Sequence, residues 1–215
     1  MFNFIKVNEH LYYVEGLKNE PTPKICLVVG NKSSMLIDVG NKVEQIDSLN
    51  KGIEDNKLPG IKYVVITHFH DDHLHNINLF KDKEIIVSKQ TAKYVKFTSQ
   101  LFIEKTTIDL GNYLVTIDNL PNSHAKGSLL VYLNQDKIML IGDALCGKIT
   151  TDSYTINRSL TYELKKRIEE YNVDFFIDGH SNLEDTTKEK VYKLIESYCN
   201  SLKKNKGDDV SIEDN

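Results

Sequence analysis

The chain has 215 residues, of which 40% are apolar and 27% charged, a composition typical of one globular domain rather than of a disordered or fibrous protein. Its net charge of −4, its three widely spaced cysteines and the lack of an apolar run of about 20 residues argue against three classes. The three classes are nucleic-acid-binding proteins, proteins held together by disulfides, and membrane-spanning proteins. Because the N-terminus also lacks the pattern of a secretion signal, we expect a cytoplasmic protein.

Short apolar runs separated by turn residues predict strands and helices in the first half of the chain. Strands are expected at 24–30 and 34–39, joined by a hairpin-like turn at 30–32. Apolar residues at helical spacing from Val43 to Ile53 predict a helix that ends before Pro59. An almost continuously apolar strand follows at 61–67, then a histidine-rich segment with a helix starting near Asp72, and then a strand at 84–88.

The second half repeats this order of elements. A weak strand at 113–117, a hairpin of strands at 128–133 and 137–141, a helix at 160–170, a buried strand at 175–177 and a helix at 187–199 are expected. Residues 200–215 are polar and charged and predict a disordered tail, which leaves 1–199 as a single domain. Because no Pro-, Gly- or Ser-rich linker divides the chain, we predict an α/β fold with four layers, two mixed β-sheets flanked by helices.

The densest group of candidate ligands follows the apolar strand, in the segment THFHDDH at residues 67–73. His68 and His70 are expected on the same side of the chain, since side chains of an extended segment alternate. Asp72 and His73 enter the next turn and are expected to point at a second position a few ångström away. Imidazole and carboxylate suit zinc and other divalent first-row metals, so this segment predicts a metal site.

Four further residues stand in loops or at strand ends. His124 lies in a loop that enters a strand, whereas Asp143, His180 and Asp38 each follow an apolar run. An α/β sheet usually builds its functional site at strand ends, so we expect these side chains to surround the same site. A carboxylate that only caps a turn is the alternative for Asp38.

Five segments, LIDVG, THFHDDH, SHAKGS, IGDAL and IDGHS, occur in an order that strongly resembles the metallo-β-lactamase superfamily over nearly the whole chain. The resemblance implies a four-layer αββα sandwich and a site for two divalent ions, Zn²⁺ by default with iron or manganese as alternatives. It also implies that Asp38 hydrogen-bonds the loop that bears the first histidines. The ligands it implies form two groups that share one carboxylate: His68, His70 and His124 for the first metal, Asp72, His73 and His180 for the second, and Asp143 as the bridge.

Two positions depart from patterns within this superfamily. The bridge is an aspartate, as in hydroxyacylglutathione hydrolases, whereas one branch of zinc β-lactamases has a cysteine ligand there. Cys146 lies three residues further on and is interpreted as a packing residue. The usual Gly-His-Gly of the last motif is Gly-His-Ser around His180, a change that is expected to leave the ligand intact.

The resemblance implies hydrolysis. Two divalent ions about 3.5–4 Å apart can share a water molecule and lower its pKa to near 7, so that hydroxide attacks a carbonyl carbon. A small thioester, lactone, ester or amide is the expected substrate, and the second carboxylate oxygen of Asp72 is the candidate for acid–base work. Lys148, Tyr154 and Asn157 follow the bridging aspartate and are candidate substrate contacts.

Other activities of the same fold remain open. A phosphodiesterase or nuclease would use the same ligands, but the chain has only Arg158 and Arg167 as arginines and no long basic insertion, so nucleic acid is the less favoured partner. Hydroxyacylglutathione hydrolases carry a helical domain after the last ligand, whereas 35 residues follow His180 here (215 − 180). An iron-dependent redox member is a further alternative, and a non-catalytic binding protein would be expected to have lost ligands.

Overall fold

The computed structural model describes residues 2–95, 100–102, 105–120, 122–149, 154–204 and 209–211. The strands in these ranges are β1 (Phe4–Lys6), β2 (Leu11–Val14), β3 (Ile25–Val29), β4 (Ser34–Ile37), β5 (Ile61–Val65), β6 (Glu84–Val87), β7 (Gln100–Phe102), β8 (Lys105–Asp109), β9 (Leu114–Asn119), β10 (Leu129–Leu133), β11 (Ile138–Gly142), β12 (Lys148–Ile149), β13 (Tyr154–Asn157), β14 (Phe175–Asp178) and β15 (Asp209–Ser211). The α-helices are α1 (Val43–Asp55), α2 (Asp71–Leu74), α3 (Arg158–Glu169) and α4 (Lys188–Lys204), and 3₁₀ turns cover His75–Phe80, Thr91–Lys93 and Leu183–Asp185.

Two mixed sheets form the centre of the fold. The first has the order β1-β2-β3-β4-β5-β6-β7, antiparallel from β1 to β4 and parallel from β4 to β7. The second has the order β14-β11-β10-β9-β8, in which β14 and β11 are parallel and the other pairs antiparallel. Parallel neighbours need a crossover, and α1 supplies one between β4 and β5.

The residues of β3 show how the layers are built. Cys26 and Val28 belong to the core between the two sheets, whereas Leu27 packs with Ile46 and Leu49 of α1 on the other face. A strand that is buried on both faces needs apolar side chains in both directions, which explains its continuous apolar run. On the far side of the molecule, α3 and α4 pack against the second sheet. The predicted four-layer α/β fold is therefore confirmed.

The strands and helices expected from the sequence are present with ends shifted by a few residues. In the segment expected to be a disordered tail, however, α4 continues to Lys204 and β15 pairs with β13. This difference has a physical reason, because β15 is stabilised by main-chain pairing with a distant strand, which local composition does not show. Residues 205–208 and 212–215 of that segment lie outside the described residues, and the boundary of a single domain at 1–199 stays a prediction. Among the described residues, no helix combines the length and apolar character that crossing a membrane requires.

Candidate metal centre

All seven candidate ligands lie at one edge of the two sheets. Backbone hydrogen bonds join the elements there: Leu129 N–H donates to Thr67 O at 2.7 Å, and Gly179 N–H donates to Gly142 O at 3.1 Å. The end of β5 in the first sheet is thereby tied to β10 in the second. The ligands follow the elements in chain order: His68 and His70 after β5, Asp72 and His73 in α2, His124 before β10, Asp143 after β11 and His180 after β14.

Three imidazoles form the first group. The Nδ1 atom of His70 lies 3.0 Å from Nε2 of His68 and 2.8 Å from Nε2 of His124. These three ring nitrogens all lie within 4.8 Å of one another, which is close enough for them to hold one ion together. An all-imidazole group of this kind suits zinc.

The second group contains a carboxylate and two imidazoles. Oδ2 of Asp72 lies 3.3 Å from Nε2 of His180 and 3.7 Å from Nε2 of His73. The Asp143 carboxylate lies between the two groups, with Oδ1 3.4 Å from His73 Nε2 and Oδ2 3.4 Å from His124 Nε2. This is the position that a bridging ligand requires.

Two polar atoms at the centre of the cluster indicate that these side chains could bind a cation. His73 Nε2 and Asp143 Oδ1 are buried and have no hydrogen-bond partner among the described residues. The two atoms face each other at 3.4 Å, and a cation bound there would give each of them a partner. Five imidazoles and two carboxylates form a nitrogen-and-oxygen donor set, so the site fits divalent first-row metals.

Charges within the cluster compensate one another. Burial lowers the pKa of His68 well below its usual value, and the neighbouring His73 adds to this. Burial alone would also lower the pKa of His73 and His180, but nearby carboxylates outweigh it, raising His73 well above its usual value and His180 to about 9. Burial alone would raise the pKa of Asp143, whereas His180 and His73 hold it well below the usual value. A cation that binds here takes the place of protons.

Asp38 organises the end of β5 through both carboxylate oxygens. Its Oδ1 accepts from the Thr67 N–H at 2.7 Å, and its Oδ2 accepts from the Thr67 hydroxyl at 2.8 Å and from His73 Nδ1 at 2.7 Å. Since the Thr67 hydroxyl donates to Asp38, it accepts from His68 Nδ1 at 3.1 Å. Asp38 thus fixes the Nδ1–H form of His73 directly and that of His68 through Thr67, so that Nε2 of each ring faces the site. These contacts go beyond the capping of a turn.

His124 is oriented in the same way by a group that the sequence did not indicate. Its Nδ1 donates to the backbone carbonyl of Gly147 at 3.0 Å, which leaves Nε2 directed at His70. The Gly147 N–H in turn donates to the Tyr154 hydroxyl at 2.6 Å. No sequence signal marks Gly147 for this role, because a backbone carbonyl can belong to any residue type.

Comparison with solved structures identifies the fold. A metallo-β-lactamase from Pontibacter korlensis superposes with a TM-score of 0.74 at 18% identity, covering 91% of this chain and 99% of the other. The metallo-β-lactamase FIM-1 from Pseudomonas aeruginosa, in its mono-zinc form, superposes with a TM-score of 0.70 at 13% identity, covering 93% and 95%.

The chain has the metallo-β-lactamase fold.

Two sequence comparisons find similarity to β-lactamase-like proteins over part of the chain. The family model described as "Metallo-beta-lactamase superfamily" matches residues 24–99, which include Asp38 and the segment THFHDDH. The "Beta-lactamase-like protein 2 homolog" of Caenorhabditis elegans is 28% identical over 171 residues, or 75% of this chain. The chain spans 57% of the length of that relative.

The three candidate substrate contacts lie near this edge of the metallo-β-lactamase fold, and two of them have internal partners. The Asn157 side chain accepts from Leu160 N–H at 3.1 Å and so caps α3. The Tyr154 hydroxyl bonds to Gly147 N–H and lies 3.2 Å from the Tyr198 hydroxyl, whereas Lys148 is exposed at the start of β12. Contact of these residues with a substrate stays a prediction.

Cys146 belongs to none of the candidate ligand groups among the described residues. It borders a small cavity lined by Ile156, Leu164 and Tyr198, and burial raises the pKa of its thiol to about 12. This environment agrees with a packing residue and differs from that of a thiolate ligand.

Gly179 lets the His180 loop approach the other ligands closely, and Gly179→Ala tests this. A Cβ atom there would lie 2.6 Å from Asp143 Oδ1 and 2.9 Å from His73 Cε1. We expect the variant to fold with a loss of about 1–3 kcal/mol and to bind zinc at least tenfold more weakly in a chelator competition. Gly60→Ala is the control, because nothing lies within 4 Å of its added Cβ. Equal zinc affinity in both variants would show that the close approach is not needed.

Proposed function

We propose that the chain is a metal-dependent hydrolase that uses two divalent cations, Zn²⁺ by default, to cleave a small thioester, lactone, ester or amide at its carbonyl carbon. The observation that carries this proposal is the position of Asp143. Its carboxylate faces both ligand groups, and Asp143 Oδ1 and His73 Nε2 are buried without a hydrogen-bond partner among the described residues. The superfamily supported by the sequence comparisons points to the same chemistry.

Each cation would be held by one ligand group, with Asp143 shared between them. When bound, such ions acidify water and polarise a carbonyl oxygen. The protein supplies the orientation of the metal-binding side chains. Hydrogen bonds fix the rings of His73, His68 and His124 before any cation binds, and their partners are Asp38, Thr67 and Gly147 respectively. Pre-positioned ligands avoid reorganisation during the reaction, which is a main source of catalytic rate.

Asp72 is the residue we assign to proton transfer. Its Oδ2 faces His180 and His73, and its side chain is only partly buried, so its second oxygen can take a proton from the attacking water and pass it to the leaving group. The chain needs no side-chain nucleophile. Ser123, next to His124, is engaged elsewhere, since its hydroxyl accepts from the Asn157 N–H at 3.0 Å.

The space beside the site suits a small molecule. A cavity of about 690 Å³ adjoins His180, and its walls combine apolar side chains such as Leu17 and Leu183 with charged ones such as Glu15 and Lys18. Pockets for small ligands typically measure about 300–1,000 Å³. A phosphodiester would call for cationic clamps, and Arg167 is already paired with the buried Asp118 at 3.1 Å. Carbonyl substrates are therefore favoured.

Turnover of a substrate panel tests the proposal. The purified chain, loaded in turn with Zn²⁺, Mn²⁺ and Fe²⁺, is assayed on a thioester, a lactone, an aryl ester, a β-lactam and bis(p-nitrophenyl) phosphate, with oxygen uptake recorded in parallel. We expect hydrolysis of at least one carbonyl substrate that a chelator abolishes and added metal restores. His70→Ala is expected to be inactive. Turnover of the phosphodiester alone, or oxygen uptake without hydrolysis, would replace this proposal with a nuclease or a redox enzyme.

A further inference from the structure

We propose that Lys24 is a positioning residue for His180: its buried ammonium group fastens the loop at 178–181 to the first sheet and so aims the His180 ring at the cation site. This inference rests on the proposed function, since it concerns one of the two ligand groups. It extends that function to a residue far from every ligand motif in the sequence.

Lys24 holds the loop on both sides of His180. Its backbone N–H donates to Gly179 O at 2.7 Å. Its Nζ donates to Gly179 O at 3.3 Å and also to Ser181 O. One side chain therefore binds the carbonyl before and the carbonyl after the ligand.

Asp178 stabilises the same loop through hydrogen bonds within it. Its Oδ1 accepts from His180 N–H at 3.1 Å and from Ser181 N–H at 2.7 Å, and its Oδ2 accepts from the Ser181 hydroxyl. Lys24 Nζ lies 3.8 Å from Asp178 Oδ1, and the two side chains are only 8% and 12% exposed. Because a lysine is rarely buried without a charged partner, this pair marks a specific arrangement rather than a surface ion pair.

His180 depends on its backbone more than His68, His73 and His124 do. Nδ1 of His68, His73 and His124 each has a hydrogen-bond partner behind the ring. No such partner for His180 Nδ1 occurs among the residues that the structure describes, and the side chain is 33% exposed. The direction of this ring is therefore set by the loop that carries it.

The contacts of Lys24 with the loop at 178–181 also join the two sheets. Lys24 directly precedes β3 of the first sheet, whereas the loop follows β14 of the second. Asp72 and His73, which complete the ligand group of His180, follow β5 of the first sheet. Lys24 thus fixes the distance between ligands that belong to different sheets. Loss of the ammonium group should weaken this group and leave His68, His70 and His124 unchanged.

Zinc titration of Lys24→Met tests the inference, because methionine keeps an unbranched side chain that is only one heavy atom shorter and removes the charge. In competition with a chromophoric chelator, we expect one of the two Zn²⁺ ions to bind about 10–100-fold more weakly and the other to bind as in the wild type. A loss of this size is usual when a group that orients a metal ligand is removed. Lys137→Met is the matched control, since Lys137 Nζ pairs with Asp174 Oδ2 at 3.6 Å near the opposite end of β14. It should bind both ions like the wild type.

A merely structural role predicts a different pattern. In that case Lys24→Met would lower the melting temperature, and it would weaken the binding of both Zn²⁺ ions equally or of neither. Either result would show that the proposal is wrong. Combined with His180→Ala, Lys24→Met should cause no additional loss of zinc affinity, since both changes act on the same ligand. Lys24→Gln, which keeps a donor without the charge, is the second variant and should lie between Lys24→Met and the wild type. A wild-type chain that binds no zinc would refute the proposed function as well, whereas normal two-ion binding in Lys24→Met would refute the Lys24 inference alone.

Discussion

Asp143→Asn is expected to reduce zinc binding to at most one tightly held ion and to lower kcat/KM by about 10³-fold. Asparagine keeps the shape of the side chain, but a neutral amide cannot supply two anionic oxygens to the two groups of histidines that Asp143 faces at 3.4 Å. Metal polarisation is worth several kcal/mol, and about 4 kcal/mol corresponds to this factor in rate. Metal analysis after gel filtration, together with steady-state kinetics on the best carbonyl substrate, measures both effects.

Asp118→Asn provides the control for Asp143→Asn. Asp118 is also a buried carboxylate, but its partners are Arg167, Tyr171 and Lys105, outside the candidate site. We expect this variant to lose stability and to keep both zinc ions. If Asp143→Asn kept two ions and normal turnover, Asp143 would not be a bridging ligand.

Asp38→Asn is expected to weaken zinc binding by about 10–100-fold although Asp38 is not itself among the ligands. Two carboxylate oxygens accept three hydrogen bonds here, from Thr67 N–H, the Thr67 hydroxyl and His73 Nδ1. An asparagine amide must place its NH₂ group against one of these donors. The resulting unsatisfied group costs about 1–3 kcal/mol, and His73 loses the partner that holds its Nδ1–H form. Chemical denaturation and zinc titration check the two parts of this prediction.

Asp38→Ala separates the hydrogen bonds from the backbone conformation. Asp38 has φ of +57°, a left-handed conformation that asparagine tolerates and alanine does not. We therefore expect Asp38→Ala to be less stable than Asp38→Asn by about 1 kcal/mol further, with a similar loss of zinc affinity. Unchanged zinc affinity in both variants would mean that Asp38 acts only on the local turn.

The local part of the site could be read from the sequence. His68 and His70 share one side because they follow a buried strand, and the strands themselves are visible as apolar runs because residues such as Leu27 are buried between layers. That His124, Asp143 and His180 would join them could be expected only from the rule that sites lie at strand ends and from the resemblance to a known superfamily. The pairing of β11 with β14, which brings Asp143 and His180 side by side, is a long-range feature that local patterns do not encode.

The groups that support the ligands could not be predicted. Gly147 acts through its carbonyl, and Lys24 acts through the carbonyls of a loop more than 150 residues away, so neither role depends on a local pattern of residue types. Asn157, whose contact with a substrate stays a prediction, caps α3 by accepting a hydrogen bond from the Leu160 N–H, a role that depends on where the helix begins. Metal-ligand candidates can thus be predicted from residue type and position in the sequence. The groups that orient those ligands can be identified only from the folded structure.

Zinc stoichiometry of the wild-type chain tests the central claim most directly. The metal-free protein is titrated with Zn²⁺ by calorimetry, and the bound metal is then counted by elemental analysis. Two ions per chain, with proton release on binding, are expected from two ligand groups that share Asp143. Retention of no zinc at millimolar concentrations would contradict the claim that these seven side chains form a metal centre.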